Sequence, residues 1–554
     1  MNGHLSWRPR FHDLHLSAEY VVVGSGAGGG QSAYTLTMNG MTVLMLEAGR
    51  YYDPVLETPM FQLHNQAPLR GAPTPDKQRG FYNANVDGGW TIPGEPYTNA
   101  SEVSDHQFTW WRARMLGGRT NSWGRISLRN GPYDFKAHSR DGIGVDWPIS
   151  YEDLAPYYDK VEMLIGVYGT NEWLENTPDS PDGVLQPAPP LRAGEYLTQQ
   201  RARKHLGLPV IPVRRAVLTQ RQDSANIPAK LHPGNTTAQK ILKASMDSRS
   251  ACFWATPCYR GCSIKATYQS NTVHLPPALE TGKLDILSQA MVRKITLDNQ
   301  GKASGVVFID KSSGKEHRAR SRTVVLAASS AESIRILLNS KSNRFPDGLA
   351  NSNGRVGKGL LETVATGLTG QFPLLENLPP HNEDGAGGAH AYIPWWLYRE
   401  QLAGKLDFPR GYHTEFRSGR QIPSTGSIQQ LMTHTTTPYG SKFKEEARRY
   451  FGSFIRFSGR GEMIPNDDCF CELDPQVKDQ WEIPVVRFHW KWSDYEIRQV
   501  AHMQKTYAEL IRAMGGKPEN PVHTESSTSI DRPGSKIHEV GGATMGTDPG
   551  TSVT

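Results

Sequence analysis

The chain has 554 residues, and its 61 basic and 55 acidic side chains are scattered without a basic block, so the net charge of +6 does not support nucleic-acid binding. The length exceeds one ordinary core and points to two domains, one of them discontinuous. No apolar run approaches the roughly 20 residues needed to span a bilayer. No apolar signal core lies within Met1 to Tyr20, and five cysteines are too few for a disulfide scaffold.

In chain order, Glu19 to Val23 ends in a β-branched run, a glycine-rich turn follows, and Gln31 to Met38 reads as a helix stopped by Asn39-Gly40. Met41 to Leu46 is then a buried strand. This is a βαβ unit, which implies a covered α/β sheet. In its turn, Gly24-Ser25-Gly26-Ala27-Gly28-Gly29 satisfies G-x-G-x-x-G, and Glu47 stands 23 positions after Gly24. The first glycine permits the tight turn, the second admits a pyrophosphate, and the third lets helix pack on strand. Glu47 is placed to accept from the ribose hydroxyls of a dinucleotide. FAD and NAD share that end, so the motif alone leaves both open.

Tyr51 to Phe108 is rich in Pro, Gly, Asn and Asp and reads as long surface excursions. Ser150 and Asp153 open a helix with an apolar face at Leu154, Tyr158, Val161 and Ile165, stopped by Gly166. Leu284 to Leu297 and Val306 to Asp310 alternate like antiparallel strands, and Thr323 to Ala328 is an apolar strand entering a helix at Ser330. From about Leu361 to Glu525 short strands and turns suggest a sheet-based substrate domain, with Ser493 and Glu496 opening a second capped helix. Cys469 and Cys471 alternate on a strand as packing residues, while Cys252, Cys258 and Cys262 form C-x5-C-x3-C in a loop.

Four further segments carry a family resemblance. Arg114 to Gly124, with Leu116, Gly117, Gly118, Asn121 and Ser122, is similar to the flavin-contacting loop of glucose-methanol-choline oxidoreductases. Gly117 and Gly118 would let backbone approach a flat ring, and Asn121 or Ser122 would donate toward its polar edge. Val324 to Ser329 and Gly348 to Gly357 resemble the family's flavin-domain strand and the turn after it, and Val292 sits where backbone meets adenine. His538-Glu539-Val540-Gly541-Gly542-Ala543-Thr544-Met545-Gly546 resembles its C-terminal signature. The nearest subgroup is that of gluconate and glucose dehydrogenase large subunits.

The resemblance implies a discontinuous Rossmann-type FAD domain at 17–50, 109–165, 250–360 and 526–554. An inserted α+β substrate domain takes 51–108, 166–249 and 361–525. It implies non-covalent FAD, because Ser122 stands where some relatives carry a flavin-linked His. The activity it implies is oxidation of a CH–OH group of a sugar, sugar acid or other alcohol, with His538 as base, and electrons passing to an external acceptor. His489, on an alternating strand, is structural or substrate-lining. The cysteine spacing is similar to that of a three-iron [3Fe-4S] loop, with a disulfide or an incomplete zinc site as alternatives. A cluster would imply a cytochrome acceptor, and the resemblance to large subunits implies a small partner that can export a leaderless chain otherwise cytoplasmic by default. The family continues past the His538 signature to an Asp at the ribityl chain and an Asn-Pro-Thr segment with a second catalytic residue. Thr554 comes before either, which reads as a C-terminal truncation. An NAD-linked dehydrogenase and an inert flavoprotein-like module are the competing readings.

Overall fold

Val43–Leu46 is buried along its whole length, as a strand covered on both faces must be. It is the second strand of a six-stranded sheet ordered Leu284–Leu287, Val43–Leu46, Ser17–Val23, Glu316–Leu326, Ala303–Asp310, Ala290–Leu297. The first four strands are parallel, with Val21 opposite both Leu44 and Val324. The last two join antiparallel, as their alternation suggested. This computed structural model describes residues 16–58, 60–61, 87–256, 258, 261–379, 389–418, 420, 425–520 and 529–554. Most of the Met1 to Tyr20 reading, and residues 59 and 62–86 of the Tyr51 to Phe108 stretch, lie outside the described residues.

The crossover helix runs Ala27–Met38, starting before the expected Gln31. Its glycines override helix propensity because close packing demands them. A Cβ on Gly29 would lie 1.9 Å from the Gly24 carbonyl oxygen, and one on Gly30 would lie 2.0 Å from Ser270 Oγ. Ser330–Asn339 follows the Glu316–Leu326 strand as expected.

A second six-stranded sheet is ordered Lys517–Pro518, Gly367–Gln371, Phe454–Gly461, Tyr412–Ser418, Ala391–Ile393, Ile211–Pro212. Asp494–Ala513 packs on it, burying Met503, Tyr507, Leu510 and Ile511 against Phe416 and Phe457. Both expected capping boxes are present, with Ser150 ahead of Tyr151–Ile165 and Ser493 ahead of Asp494–Ala513. Strands of the first sheet come from the 17–50 and 250–360 segments, and those of the second from 166–249 and 361–525.

Phe470–Lys478 and Pro484–His489 form a smaller antiparallel pair. Cys469 and Cys471 are buried there among Phe108, Phe488 and Trp490, in the packing role read from their alternation. His489 bonds Glu472 at 2.8 Å and stacks on Phe470, so its ring is engaged within its own sheet. A pairing the sequence did not suggest joins Leu360–Leu361 to Val540–Gly541, and it brings the C-terminal segment onto the core. Among the described residues no helix is long and apolar enough to cross a membrane.

Candidate active site

A cavity of about 390 Å³ opens at the C-terminal ends of the parallel strands, where ligands of open α/β sheets bind. Gly24, Ser25, Gly26, Ala27, Gly28, Glu47, Gly118 and Val292 line it. A Cβ on Gly26 would meet nothing within 4 Å, so the missing side chain opens onto space. The N-terminus of Ala27–Met38, without a side-chain cap, leaves N–H groups to offer an anion there. Glu47 Oε2 accepts from Ser25 N–H at 3.1 Å and Ser25 Oγ at 2.5 Å, and Oε1 accepts from Gly49 N–H at 2.7 Å. The carboxylate thus braces the turn, with lone-pair capacity left for a further hydroxyl.

The loop after Arg114 departs from expectation in detail. Gly118 lies beside Gly26 on the cavity wall, with a Cβ position 3.5 Å from Gly26 Cα. Gly117 has φ +86° and receives no bulk because Asn271 stands against it. Leu116 packs into the core and Gly29, within the helix, is buried against Gly24, so neither forms the cavity wall. Asn121 was expected to donate outward, yet it is buried and its amide donates to the Leu116 and Gly118 carbonyls at 2.9 and 3.1 Å. Ser122 closes the turn through its N–H to the Arg119 carbonyl. Arg119, Trp123 and Tyr268 line the wall instead, and the sequence reading passed over them.

His538 lies on a larger cavity of about 1110 Å³ together with Glu362, Thr363, His413 and Arg460. Its Nδ1 is 3.0 Å from Thr363 Oγ1, and its main-chain N–H donates to Glu362 Oε1 at 3.0 Å. Although the ring is open to the cavity, surrounding protein and then the Arg460 cation lower its pKa to about 4. An imidazole so placed is neutral near pH 7 and able to take a proton. Arg119 links the two regions, pairing with Glu539 at 2.6 Å and donating to the Ile537 carbonyl.

Cys252 borders the small clusters that hold Cys258 and Cys262, and none of the five cysteines is in a disulfide, so that alternative is not formed. Arg125, wholly buried, donates to the Cys258 carbonyl at 2.7 Å and to the Asn121 carbonyl at 3.1 Å. Among the described residues no three His, Cys, Asp or Glu side chains are grouped to hold a metal ion.

Two family profiles, both described as GMC oxidoreductase, match residues 18–364 and 465–554. The chain belongs to the GMC oxidoreductase family. It is similar to 2-methyl-1,2-propanediol dehydrogenase of Mycolicibacterium austroafricanum, 29% identical over 97% of this chain and 87% of the relative. Fructose dehydrogenase large subunit of Gluconobacter japonicus is 26% identical over 97% of this chain and 90% of the relative. Pyridoxine 4-oxidase from Mesorbium loti shares the fold, with TM-score 0.57 and 14% identity over 96% of this chain and 90% of that one. Coverage of this extent gives no support to the expected truncation.

GMC membership makes this chain an FAD-dependent oxidoreductase. The cradle fits that cofactor, since Gly26 leaves space, and the uncapped helix N-terminus and Glu47 on the cavity wall would suit a pyrophosphate and a ribose.

Proposed function

We propose that the protein oxidises a CH–OH carbon of a sugar, sugar acid or similarly polar alcohol, with His538 as the base. The observation that carries this reading is the setting of His538 in a roomy cavity whose wall includes Asp134, Arg214, Arg410 and Glu462. Charged walls of that extent suit a ligand with several hydroxyls or a carboxylate better than a small apolar alcohol. Two relatives named for a diol and a sugar agree with that class.

Bound FAD supplies the hydride acceptor. Gly24, Ser25, Gly26, Ala27, Gly28, Glu47, Gly118 and Val292 would hold its adenosine diphosphate, with Gly29, Leu116, Gly117, Asn121 and Ser122 supporting from behind. Ser122 offers no imidazole for a covalent link. In the tautomer whose Nδ1–H donates to Thr363 Oγ1, His538 would have Nε2 to accept the substrate's hydroxyl proton. Arg119 and Glu539 fix the main chain on either side of that ring. The test is anaerobic single-turnover flavin bleaching with a panel of sugars, sugar acids and diols. Bleaching by at least one polyol is expected, and none by any member in fully FAD-loaded protein would reject the reading.

A second reading concerns electron exit. Arg125 is buried facing Cys258 and Cys262, its Nε has no hydrogen-bond partner, and burial lowers its pKa, the largest effect. A buried cation calls for negative charge nearby. Thiolates of Cys252, Cys258 and Cys262 around a [3Fe-4S] cluster would supply it, and would favour a cytochrome acceptor and a small partner subunit.

A further inference from the structure

The pairing of Leu361 with Val540 fixes Glu362 beside His538. Glu362 Oε1 accepts from the N–H groups of Thr363 and His538 at 2.9 and 3.0 Å. Its other oxygen, Oε2, is buried and has no hydrogen-bond partner among the described residues. Thr363, the next residue, holds the imidazole itself. Immediately before His538, Ile537 has φ +65°, a left-handed conformation that strains a β-branched residue and persists only where neighbours enforce it. The Glu362 bond to His538 N–H is one such restraint.

We infer that Glu362 is a positioning residue for His538. It fixes the histidine's main chain through Oε1 and, when ionised, supplies the negative charge that stabilises the imidazolium formed in proton abstraction. The inference rests on His538 being the base. The substrate O–H bond breaks, its proton goes to His538 Nε2, the other ring proton stays on His538 Nδ1 bonded to Thr363 Oγ1, and Glu362 exchanges no proton in the step.

The surrounding charges give the sign. Glu539 opposes ionisation of Glu362 and Arg119 favours it, but burial is the largest influence and raises the carboxyl to about 7. Around His538, Arg460, His413 and Arg119 oppose an added positive charge and Glu415 favours it. A new imidazolium there meets the Arg460 and Arg119 cations, and a negative charge on Glu362, held against the His538 N–H at 3.0 Å, lowers its energy. Flavin reduction should therefore rise with pH as Glu362 ionises.

The test compares single-turnover flavin reduction from about pH 5.5 to 8.5 in the wild type, Glu362→Gln and Glu362→Asp. Gln keeps an acceptor for both N–H groups and removes the charge. In the wild type the rate should rise about 10-fold or more across neutrality. It should stay flat and low in Glu362→Gln, and Glu362→Asp should restore a rise with a displaced midpoint. Infrared spectra of the wild type at pH 6 should show a protonated carboxyl band absent from Glu362→Gln. An unchanged pH limb in Glu362→Gln would overturn the inference, as would absence of that band. If Glu362→Gln fails to retain FAD, the Asp profile and the wild-type band's titration with pH decide. A wild type that no alcohol reduces would overturn the reading of His538, while the infrared test of Glu362 stands apart.

Discussion

Arg119 and Glu539 form an ion pair at 2.6 Å that joins the glycine-rich loop at Gly117-Gly118 to the segment carrying His538. The Glu539 side chain is almost fully buried and Arg119 is partly exposed, so removing the cation strands a buried carboxylate. Arg119→Ala should lower stability by about 1–3 kcal/mol, less than a fully buried pair because water screens part of Arg119. It should also slow flavin reduction, since residues on both sides of His538 lose an anchor. Arg119→Lys should recover most of the stability. Denaturant titration and stopped-flow absorbance read both effects, and equal stability of Arg119→Ala and wild type would refute the anchoring role.

Gly26→Val should abolish FAD retention, because its branched side chain would occupy the open space reserved for the pyrophosphate. Denaturing the wild type should release all of its flavin into the supernatant, as expected without a covalent link. Full flavin occupancy in the variant would disprove the placement.

The parts of this fold that were legible in sequence are local ones. The βαβ unit announced itself through β-branched runs on either side of a glycine turn, and both capping boxes through Ser with an acid three residues on. Cys469 and Cys471 were readable because a strand's period of two puts both on one face. The pairing of Leu360–Leu361 with Val540–Gly541 was not readable, since two residues far apart in sequence carry no periodicity. Glu362 and Arg119 were missed for the same reason, as their importance comes from neighbours that only the fold supplies. Asn121 was misread because type and position in the loop do not reveal that its amide turns inward.

His274 contributes a loss of stability on mild acidification. It is buried with Nε2 unpartnered, and burial lowers its pKa from 6.5 to about 3. Between those values the unfolded chain binds a proton that the native state refuses, so native stability drops as pH falls below 6.5. The slope approaches 1.4 kcal/mol per pH unit for this group alone. Glu362 and Glu462, raised to about 7, work in the opposite direction between 7 and 4.5. Replacing His274 with Leu should flatten the acid-side loss in denaturant midpoints measured at several pH values. An unchanged slope would rule out its contribution.

Iron and acid-labile sulfide should be present in anaerobically prepared protein. Replacing any one of Cys252, Cys258 or Cys262 with Ser should remove the iron, while Cys469→Ser should leave it. Flavin reduction by substrate should survive and electron transfer to a one-electron dye should fall. Iron-free protein from a host able to assemble clusters would refute the cluster and withdraw the main support for a cytochrome partner.

The most direct measurement is the rate of flavin reduction by a polyol substrate in His538→Ala, followed anaerobically by stopped flow at pH 7.5 with FAD content measured in the same sample. His538 stands on the polar cavity with Nδ1 on Thr363 and a pKa low enough to keep the ring neutral at that pH. FAD should remain fully bound while reduction slows about 10²-fold or more, the usual contribution of a positioned general base. His489→Ala should cost far less, because that ring is engaged with Glu472 and Phe470. A near-normal reduction rate in FAD-loaded His538→Ala would contradict the assignment of His538 as the base.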